Sequence, residues 1–183
     1  MARWIIDPDH SVAVFAIRYL LIAHVRGLMN GMEGSITFDP ADGVIEKTDG
    51  FSVQVDIDVS TIKTGVEKRD AHLLSPDFFD VARYPKITFK STKAEPLGGN
   101  RIRVHGDLTL HGVTRPVVIE GEYSGPVKLP ESIGGETSLG FTGETVINRE
   151  DFGITWGMSP MGGGLMAARE VSITLDIETD LEV

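Results

Sequence analysis

Strict alternation of apolar and polar residues is the feature that most constrains the fold of this chain. Residues 51–60 show it most clearly, because Phe51, Val53 and Val55 alternate with polar side chains. Residues 102–111 and 171–178 repeat the pattern. A period of two places the apolar side chains on one face of a strand and the polar ones on the other. One dry and one wet face predict antiparallel strands around a single core.

Shorter runs of the same kind predict further strands and bring the total to eight, or nine if residues 4–6 form a separate strand. These runs cover residues 12–19, 35–38, 87–90, 117–123 and 139–147. Turn-forming residues lie between them, at 39–43, 98–100 and 111–114. Many short alternating strands with such turns are typical of an all-β sandwich or barrel. We predict one domain over residues 1–183.

A helical signal interrupts the strands in the middle of the chain. Ser75 can cap a free N–H, Pro76 suits the first helical position, and Asp77 suits the positive end of the helix dipole. Pro85 limits this helix to about Arg83. Residues 67–74 are expected to form a preceding turn or short helix. The sequence thus predicts a short helical insert between two central strands.

Composition and charge exclude several classes of function. The chain has no cysteine, which excludes disulfides and thiolate chemistry. Lys and Arg number 17 against 27 Asp and Glu, a net charge of −10, which argues against nucleic-acid partners and disfavours anionic membrane surfaces. No segment reaches the roughly 18 apolar residues that span a bilayer. Residues 1–4 lead straight into a strand, so the chain as given is expected in the cytoplasm, or in the periplasm if a leader was removed.

The histidines do not form a convincing metal or catalytic site. His105 and His111 are six residues apart, roughly 20 Å along an extended strand, and cannot share an ion. His72 lies among carboxylates in the insert, where Asp70 is expected to pair with Arg69. His24 falls in a stretch that we interpret as irregular. No catalytic residue, metal or cofactor is predicted.

The charged residues 148–151 at the end of a strand have two interpretations. Arg149 can bind the head group of a ligand, as guanidinium groups bind phosphate. The residues can equally form a network that stabilises a turn, and we favour this second interpretation.

Four segments carry a family resemblance. They read WIIDPDHSVAVFAIR, DVSTIKTG with RDAHLLSPDFFDVARYPKITFKST, DLTLHGVTRPVVIE, and GFTGETVINREDFGITW. Together they resemble the YceI-like family of polyisoprenoid-binding proteins over nearly the whole chain. The resemblance implies an eight-stranded antiparallel lipocalin-like barrel with a short helical insert between central strands. It also implies an interior that takes a long isoprenoid or similar amphiphile. Tyr19 stands where members of that family commonly carry histidine.

Strand parity and the resemblance together predict the residues that line this interior. The predicted lipid-binding set is Ala13, Phe15, Ile17, Tyr19, Ile36, Phe38, Val53, Val55, Ile57, Phe89, Val104, Leu108, Leu110, Phe141, Gly143, Ile173 and Leu175. Small residues at inward positions, Ala13, Gly106, Gly121 and Gly143, are expected to leave room for a ligand. The alternative is that each glycine marks a bulge or a barrel corner.

A second set is predicted to cap the barrel or to form its portal. It consists of Leu74, Phe78, Phe79, Trp156, Met158 and Met161. Flexible thioethers beside three consecutive glycines suit a loop that adapts to an oily ligand. The alternatives are a small core under the insert and methionines packed on the barrel rim.

The function predicted on this basis is to bind, and to carry or store, a long-chain isoprenoid, quinone or fatty amphiphile. A bacterial role in lipid transport or the stress response is expected, without catalysis and without nucleic-acid partners or a membrane span. Two alternatives stay open. One is a small barrel enzyme that uses Tyr19 or His72 as an acid–base group on a lipid, and the other is a ligand-free stress-response module with a solid interior. The resemblance also leaves a homodimer open.

Overall fold

A computed structural model describes residues 1–40, 48–157 and 166–182. Within these ranges the chain forms ten antiparallel strands and one α-helix. The strands are β1 (Arg3–Ile6), β2 (Val12–Tyr19), β3 (Ala23–Met29), β4 (Met32–Thr37), β5 (Ser52–Asp58), β6 (Lys86–Gly98), β7 (Arg101–Leu110), β8 (Val113–Lys128), β9 (Thr137–Asn148) and β10 (Ala167–Leu181). The helix is α1 (Glu67–Leu74), between β5 and β6.

The sheet closes on itself through β1. Trp4 of β1 pairs with Ile36 of β4 on one side and with Leu181 of β10 on the other. β1 and β2 lie end to end along β10, and β3 and β4 form a second such pair, interrupted at residues 30–31. Ten strand segments therefore occupy eight positions around the ring. This confirms the predicted eight-stranded antiparallel barrel.

β3 was not predicted, and the interpretation of the stretch around His24 as irregular is wrong. The segment Ala23–Met29 alternates in the same way as its neighbours, with Val25 and Met29 facing inward. Gly27 weakens the pattern, because it contributes no side chain to the inward set. The ring of Phe15 lies over Gly27, and a Cβ added there would be 2.4 Å from Phe15 Cζ. Glycine is therefore needed at this position.

The insert contains a helix, but the helix lies before Ser75 and does not begin there. α1 ends at Leu74, and the Ser75 hydroxyl donates to the carbonyl of His72 at its C-terminal end. Residues 76–84 form successive turns, and Asp80 has a φ of 47°. A residue in the left-handed region interrupts a right-handed helix, so the favourable capping sequence at residues 75–77 leads into a turn.

The expected ion pair between Arg69 and Asp70 is absent from the described residues. Both side chains bind Thr64 instead. Arg69 donates from Nε to Thr64 Oγ1 at 2.7 Å and from Nη2 to Thr64 O at 2.9 Å. Asp70 accepts hydrogen bonds from the backbone N–H and the hydroxyl of Thr64. These bonds fix the start of α1 to the segment that follows β5.

Candidate functional site

An elongated cavity of about 520 Å³ occupies the interior of the barrel. Its wall is built from inward-facing aliphatic and aromatic side chains of the strands. The volume lies within the range of about 300–1,000 Å³ that is typical of small-molecule sites. Every member of the predicted lipid-binding set except Phe38 lies at this wall. The interior is therefore not packed solid.

One end of the barrel is closed by aromatic side chains. Phe38 is only 2% exposed and packs edge-on against Tyr123, with their ring centroids 5.0 Å apart. Phe51 and Phe141 also contact Phe38, at 5.8 and 6.0 Å, and Trp4 Nε1 donates to the Phe38 carbonyl. The prediction that Phe38 lines the cavity is therefore wrong. Phe38 follows the last residue of β4 and belongs to the packed layer at the end of the barrel.

The inward glycines of the strands leave less room than expected. A Cβ added at Gly106 would be 2.3 Å from Phe89 Cζ, because the ring of Phe89 fills that space. Gly121 permits a close approach of two strands, since its Cβ would be 2.1 Å from the carbonyl oxygen of Thr142. Of the four small residues, Ala13, Gly121 and Gly143 lie at the cavity wall and Gly106 does not.

One face of α1 covers the opposite end, which we call the mouth. Arg69, His72 and Leu73 all line the cavity there, because residues three and four apart share a helix face. Leu74 was predicted as a cap but does not line the cavity, because its side chain does not lie on the helix face that carries Arg69, His72 and Leu73. Its neighbour Leu73 takes the expected place.

An aromatic group completes the mouth. His72 lies edge-on to both Phe78 and Trp156, with ring centroids 5.1 Å apart in each pair. Phe78 and Trp156 are 4.9 Å apart, and His72 Nε2 is 2.9 Å from Asp77 Oδ2. All three rings are half-buried. The structure thus places the predicted cap residues Phe78, Phe79 and Trp156 at the cavity, whereas Met158 and Met161 lie outside the described residues.

Arg149 is the most deeply buried charged residue at the cavity wall. Its side chain donates from Nε to Ala168 O at 2.8 Å, from Nη1 to Ile154 O at 2.7 Å and from Nη2 to Ala167 O at 3.1 Å. No carboxylate forms an ion pair with it among the described residues. Burial lowers the pKa of this guanidinium from its ordinary value, although nearby Glu150 opposes the shift. Arginine nevertheless stays protonated in proteins, so a buried positive charge faces the mouth.

Arg149 therefore performs the structural role that the sequence favoured and also lines the cavity. It ties the turn after β9 to the first residues of β10. Three of the five N–H groups of its guanidinium form these hydrogen bonds, and the other two have no partner among the described residues. The sequence offered a ligand contact as the less favoured interpretation and could not decide it, because the strand parity of β9 ends at Asn148.

The wall also includes residues that the sequence interpretation missed. Val25 and Met29 were missed together with β3, although the alternation in AHVRGLM was a usable signal. Arg69 was treated only as a structural charge, and for Arg149 the head-group contact was the less favoured of two interpretations. No sequence signal shows that a charged residue outside a strand faces the interior.

The described part of the chain contains no group of three or more His, Asp or Glu side chains that could hold a metal ion. His111 Nδ1 lies 3.1 Å from the carbonyl oxygen of Phe152, and His105 Nε2 lies 3.6 Å from a carboxylate oxygen of Glu95. Among these residues no helix is long and apolar enough to cross a membrane.

Comparisons with known proteins agree with this architecture. The family model described as YceI-like domain matches residues 4–179. A UPF0312 protein of Vibrio cholerae is 36% identical over 155 residues, which are 84% of this chain and 78% of that protein. A UPF0312 protein of Pseudomonas savastanoi pv. phaseolicola is also 36% identical over 155 residues, covering 84% of this chain and 77% of its own length.

Solved structures share the fold. The YceI protein of Campylobacter jejuni has a TM-score of 0.73 at 26% identity, covering 91% of this chain and 90% of that one. BcnA of Burkholderia cenocepacia has a TM-score of 0.77 at 24% identity, with coverage of 94% and 98%. A structure described as a polyisoprenoid binding domain from Saccharophagus degradans, implicated in plant cell wall breakdown, has a TM-score of 0.69 at 14% identity and covers 98% of both chains. On the extent of the family match and the identity to these relatives, the chain belongs to the family of YceI-like domains.

Proposed function

We propose that this protein binds a long-chain isoprenoid or a similar amphiphilic lipid in the barrel and carries or stores it. The observation that supports this proposal most directly is the apolar cavity of about 520 Å³ with one sealed end and one mouth. An apolar tail placed there leaves water and contacts aliphatic side chains on every side. A tunnel that is sealed at one end also gives the ligand a single orientation.

The tail is expected to point to the sealed end and the head group to the mouth. The wall near Phe51, Val53 and Phe141 offers mainly apolar side chains to a tail, although Glu122 and Thr142 also reach the wall there. Arg149 and Arg69 lie at the mouth, and a charged or polar head group is stabilised beside a guanidinium. A phosphate, pyrophosphate or carboxylate head therefore fits better than a neutral one.

Burial of the apolar tail explains why the protein would retain a lipid, but it does not determine the binding affinity. Each buried CH₂ contributes about 0.8 kcal/mol. For a tail of some tens of carbons the sum exceeds the ceiling of about 18–21 kcal/mol on non-covalent affinity. Ordering a flexible tail and competition from bilayers offset much of this sum. The protein is thus expected to retain a lipid through purification and still to release it to an apolar acceptor.

The comparisons support the same proposal. The Saccharophagus degradans domain with this fold is described as polyisoprenoid binding. At 14% identity that likeness concerns the fold alone, so the choice of an isoprenoid over another long-chain amphiphile rests on the proposal itself.

The direct test is solvent extraction of the purified protein followed by mass spectrometry of the extract. A paired variant makes the test specific to the cavity. Ala13 points inward between Met29 and Leu175, so Ala13→Phe fills part of the cavity, whereas Ala16→Phe places the same ring on the outer face of β2. We expect the inward variant to lose most of its lipid and the outward variant to match the parent. Equal lipid content in all three proteins would contradict the proposal.

A catalytic role is the second candidate, favoured by one observation. His72 lines the cavity and is hydrogen-bonded to Asp77, an arrangement that orients an imidazole for proton transfer. Mass spectrometry of the bound lipid before and after long incubation separates the two candidates. An enzyme changes the mass of its lipid and stops doing so in a His72→Gln variant. A carrier returns the lipid unchanged.

A further inference from the structure

We propose that the hairpin between β2 and β3 docks onto a lipid bilayer that contains anionic head groups. The end of this hairpin, Leu20, Leu21 and Ile22, is here called the hairpin tip. Its side chains are 48%, 63% and 85% exposed. Exposure of three adjacent large aliphatic side chains to water is unfavourable and unusual in a folded domain, and such patches mark interaction sites.

The turn itself is unfavourable for these residues. Leu20 and Leu21 have φ values of 50° and 62°, and the Ile22 N–H donates to the Tyr19 carbonyl at 3.2 Å. Two central residues with positive φ define a turn in which Asn-Gly is strongly preferred. Leucine at both positions is strained, and its branched side chains gain nothing from packing in water. Insertion of these side chains into an apolar medium would compensate for that strain.

The charge around the tip fits an anionic surface. The exposed residues Arg18, His24 and Arg26 point outward on the two strands just behind the tip. Residues 11–32 contain no Asp or Glu, in a chain whose net charge is −10. Neither arginine forms an ion pair within the described ranges, and Arg18 Nε instead donates to the Leu21 carbonyl. The overall charge disfavours anionic membranes, but this hairpin presents the opposite local charge.

The tip stands at the mouth of the cavity. Tyr19 and Val25, which flank it on β2 and β3, both line the cavity wall. The Leu20 N–H donates to the carbonyl of Met166, whose side chain is also exposed. A tip seated among lipid head groups would therefore bring the mouth against the bilayer. This inference goes beyond lipid carriage and does not require it, because binding to a surface is measurable without any transfer.

A bilayer fits this hairpin better than a second copy of the chain does. Two hairpins packed tip to tip would bring unpaired arginines together, and like charges at an interface are repulsive. Anionic head groups attract the same arginines, while the acyl region accepts the aliphatic tip. Arginines behind an apolar end match the layered chemistry of a membrane surface.

The test is sedimentation with vesicles of phosphatidylcholine containing about one third phosphatidylglycerol. The variant Leu20→Asn with Leu21→Gly removes the aliphatic groups and supplies the residues that this turn prefers. We expect binding to fall by about tenfold or more, while the thermal midpoint stays equal or rises. A matched control, Val127→Ser with Val146→Ser, removes two exposed valines elsewhere on the barrel and should bind as the parent does.

A second pair of changes tests the electrostatic part. Arg18→Gln with Arg26→Gln should abolish the preference for vesicles with phosphatidylglycerol over pure phosphatidylcholine. The parent should lose the same preference at high salt, because surface charges are then screened.

Three results would overturn the inference. They are failure of the parent to sediment with vesicles, binding of the Leu20→Asn, Leu21→Gly variant as tight as that of the parent, and formation of a dimer through the tip. In the last case analytical ultracentrifugation would show concentration-dependent self-association of the parent that the Leu20→Asn, Leu21→Gly variant lacks. The Ala13→Phe variant keeps these outcomes separate from the proposed function, since it should bind vesicles normally while holding little lipid.

Discussion

The two ends of the barrel carry aromatic groups of similar geometry in very different settings. At the sealed end Phe38 and Tyr123 have ring centroids 5.0 Å apart and are almost completely buried. At the mouth Phe78 and Trp156 are 4.9 Å apart and only half-buried. The two groups differ in the backbone segments that carry the rings. The sealed-end rings sit on or directly beside paired strands, whereas the mouth rings sit on turns at residues 75–85 and 153–157.

The comparison shows that the backbone segment carrying the rings, and not the contact between the rings, decides whether an aromatic group is fixed or can move. An aromatic pair contributes about 0.5–1.5 kcal/mol beyond its burial in either place. A ring on a paired strand can move only if ladder hydrogen bonds break. A ring on a turn can move with its loop, and such segments open at the lowest free-energy cost. The sealed end is therefore expected to maintain the fold and the mouth to admit ligand.

Truncation of a ring at the sealed end should have the largest effect. Phe38→Ala is expected to lower the free energy of unfolding by about 3–5 kcal/mol, because it leaves a cavity that paired strands cannot fill. Urea denaturation followed by circular dichroism measures this change. A loss below about 1 kcal/mol would show that the sealed end is as tolerant as the mouth.

The mouth should depend instead on the hydrogen bonds of Arg149. Arg149→Met leaves three carbonyl groups, two of them in buried hydrogen bonds, without their donor. A net loss of about 2 kcal/mol in unfolding free energy is expected. Arg169→Met provides the control, because Arg169 forms an exposed ion pair with Glu150 and should change stability by less than about 1 kcal/mol. Equal stability of the two variants would mean that Arg149 does not hold the mouth in place.

Loss of a ring at the mouth should change rates more than stability. Phe78→Ala is expected to cost about 1 kcal/mol or less, since the ring is half-exposed, and to speed release of a fluorescent fatty acid severalfold. Stopped-flow measurement of release gives the rate. An unchanged rate would indicate that ligand leaves by another route.

The two tryptophans of the chain report on the two ends separately. Trp4 is buried at the sealed end and Trp156 lies at the mouth. In a Trp4→Phe variant, ligand binding should change the emission of Trp156. In a Trp156→Phe variant the emission of Trp4 should stay constant, and a large change there would contradict a rigid sealed end.

The smallest effect is expected in the loop that connects β1 to β2. Asp7 and His10 lie between β1, which carries Trp4 at the sealed end, and β2, which ends at Tyr19 beside the mouth. His10 Nδ1 is 2.8 Å from Asp7 Oδ2. The hydrogen bond to Asp7 raises the pKa of His10 above 6.5, and the bond to His10 lowers the pKa of Asp7 below 3.8.

The sign of the pH dependence follows from these two shifts. The His10 contribution to stability is present below pH 6.5 and is lost as pH rises through its native pKa. The Asp7 contribution is present above pH 3.8 and is lost as pH falls through its lowered pKa. NMR titration of the His10 ring should show the raised pKa and its decrease in an Asp7→Asn variant. An unchanged His10 pKa would exclude the pair as the cause.

The alternating strands were predictable because each residue of β2 or β5 takes its environment from a repeating backbone geometry. The same logic placed the cavity wall correctly where strands are regular. It failed at Phe38, which lies just past the end of β4, and at Leu74, where a helix face replaces strand parity. It failed as well for β3, whose glycine at position 27 hides the pattern.

The sequence by itself determined that the chain forms antiparallel strands with one apolar face, because side-chain alternation is a local property. It also determined which aliphatic residues face the interior. Only the tertiary structure decided that the interior is hollow, that Phe38 and Tyr123 seal one end, and that Arg149 and the Leu20–Ile22 turn both lie at the other end. Those relations join residues that are far apart in the chain, and they exist only when β1 pairs with both β4 and β10 to close the barrel.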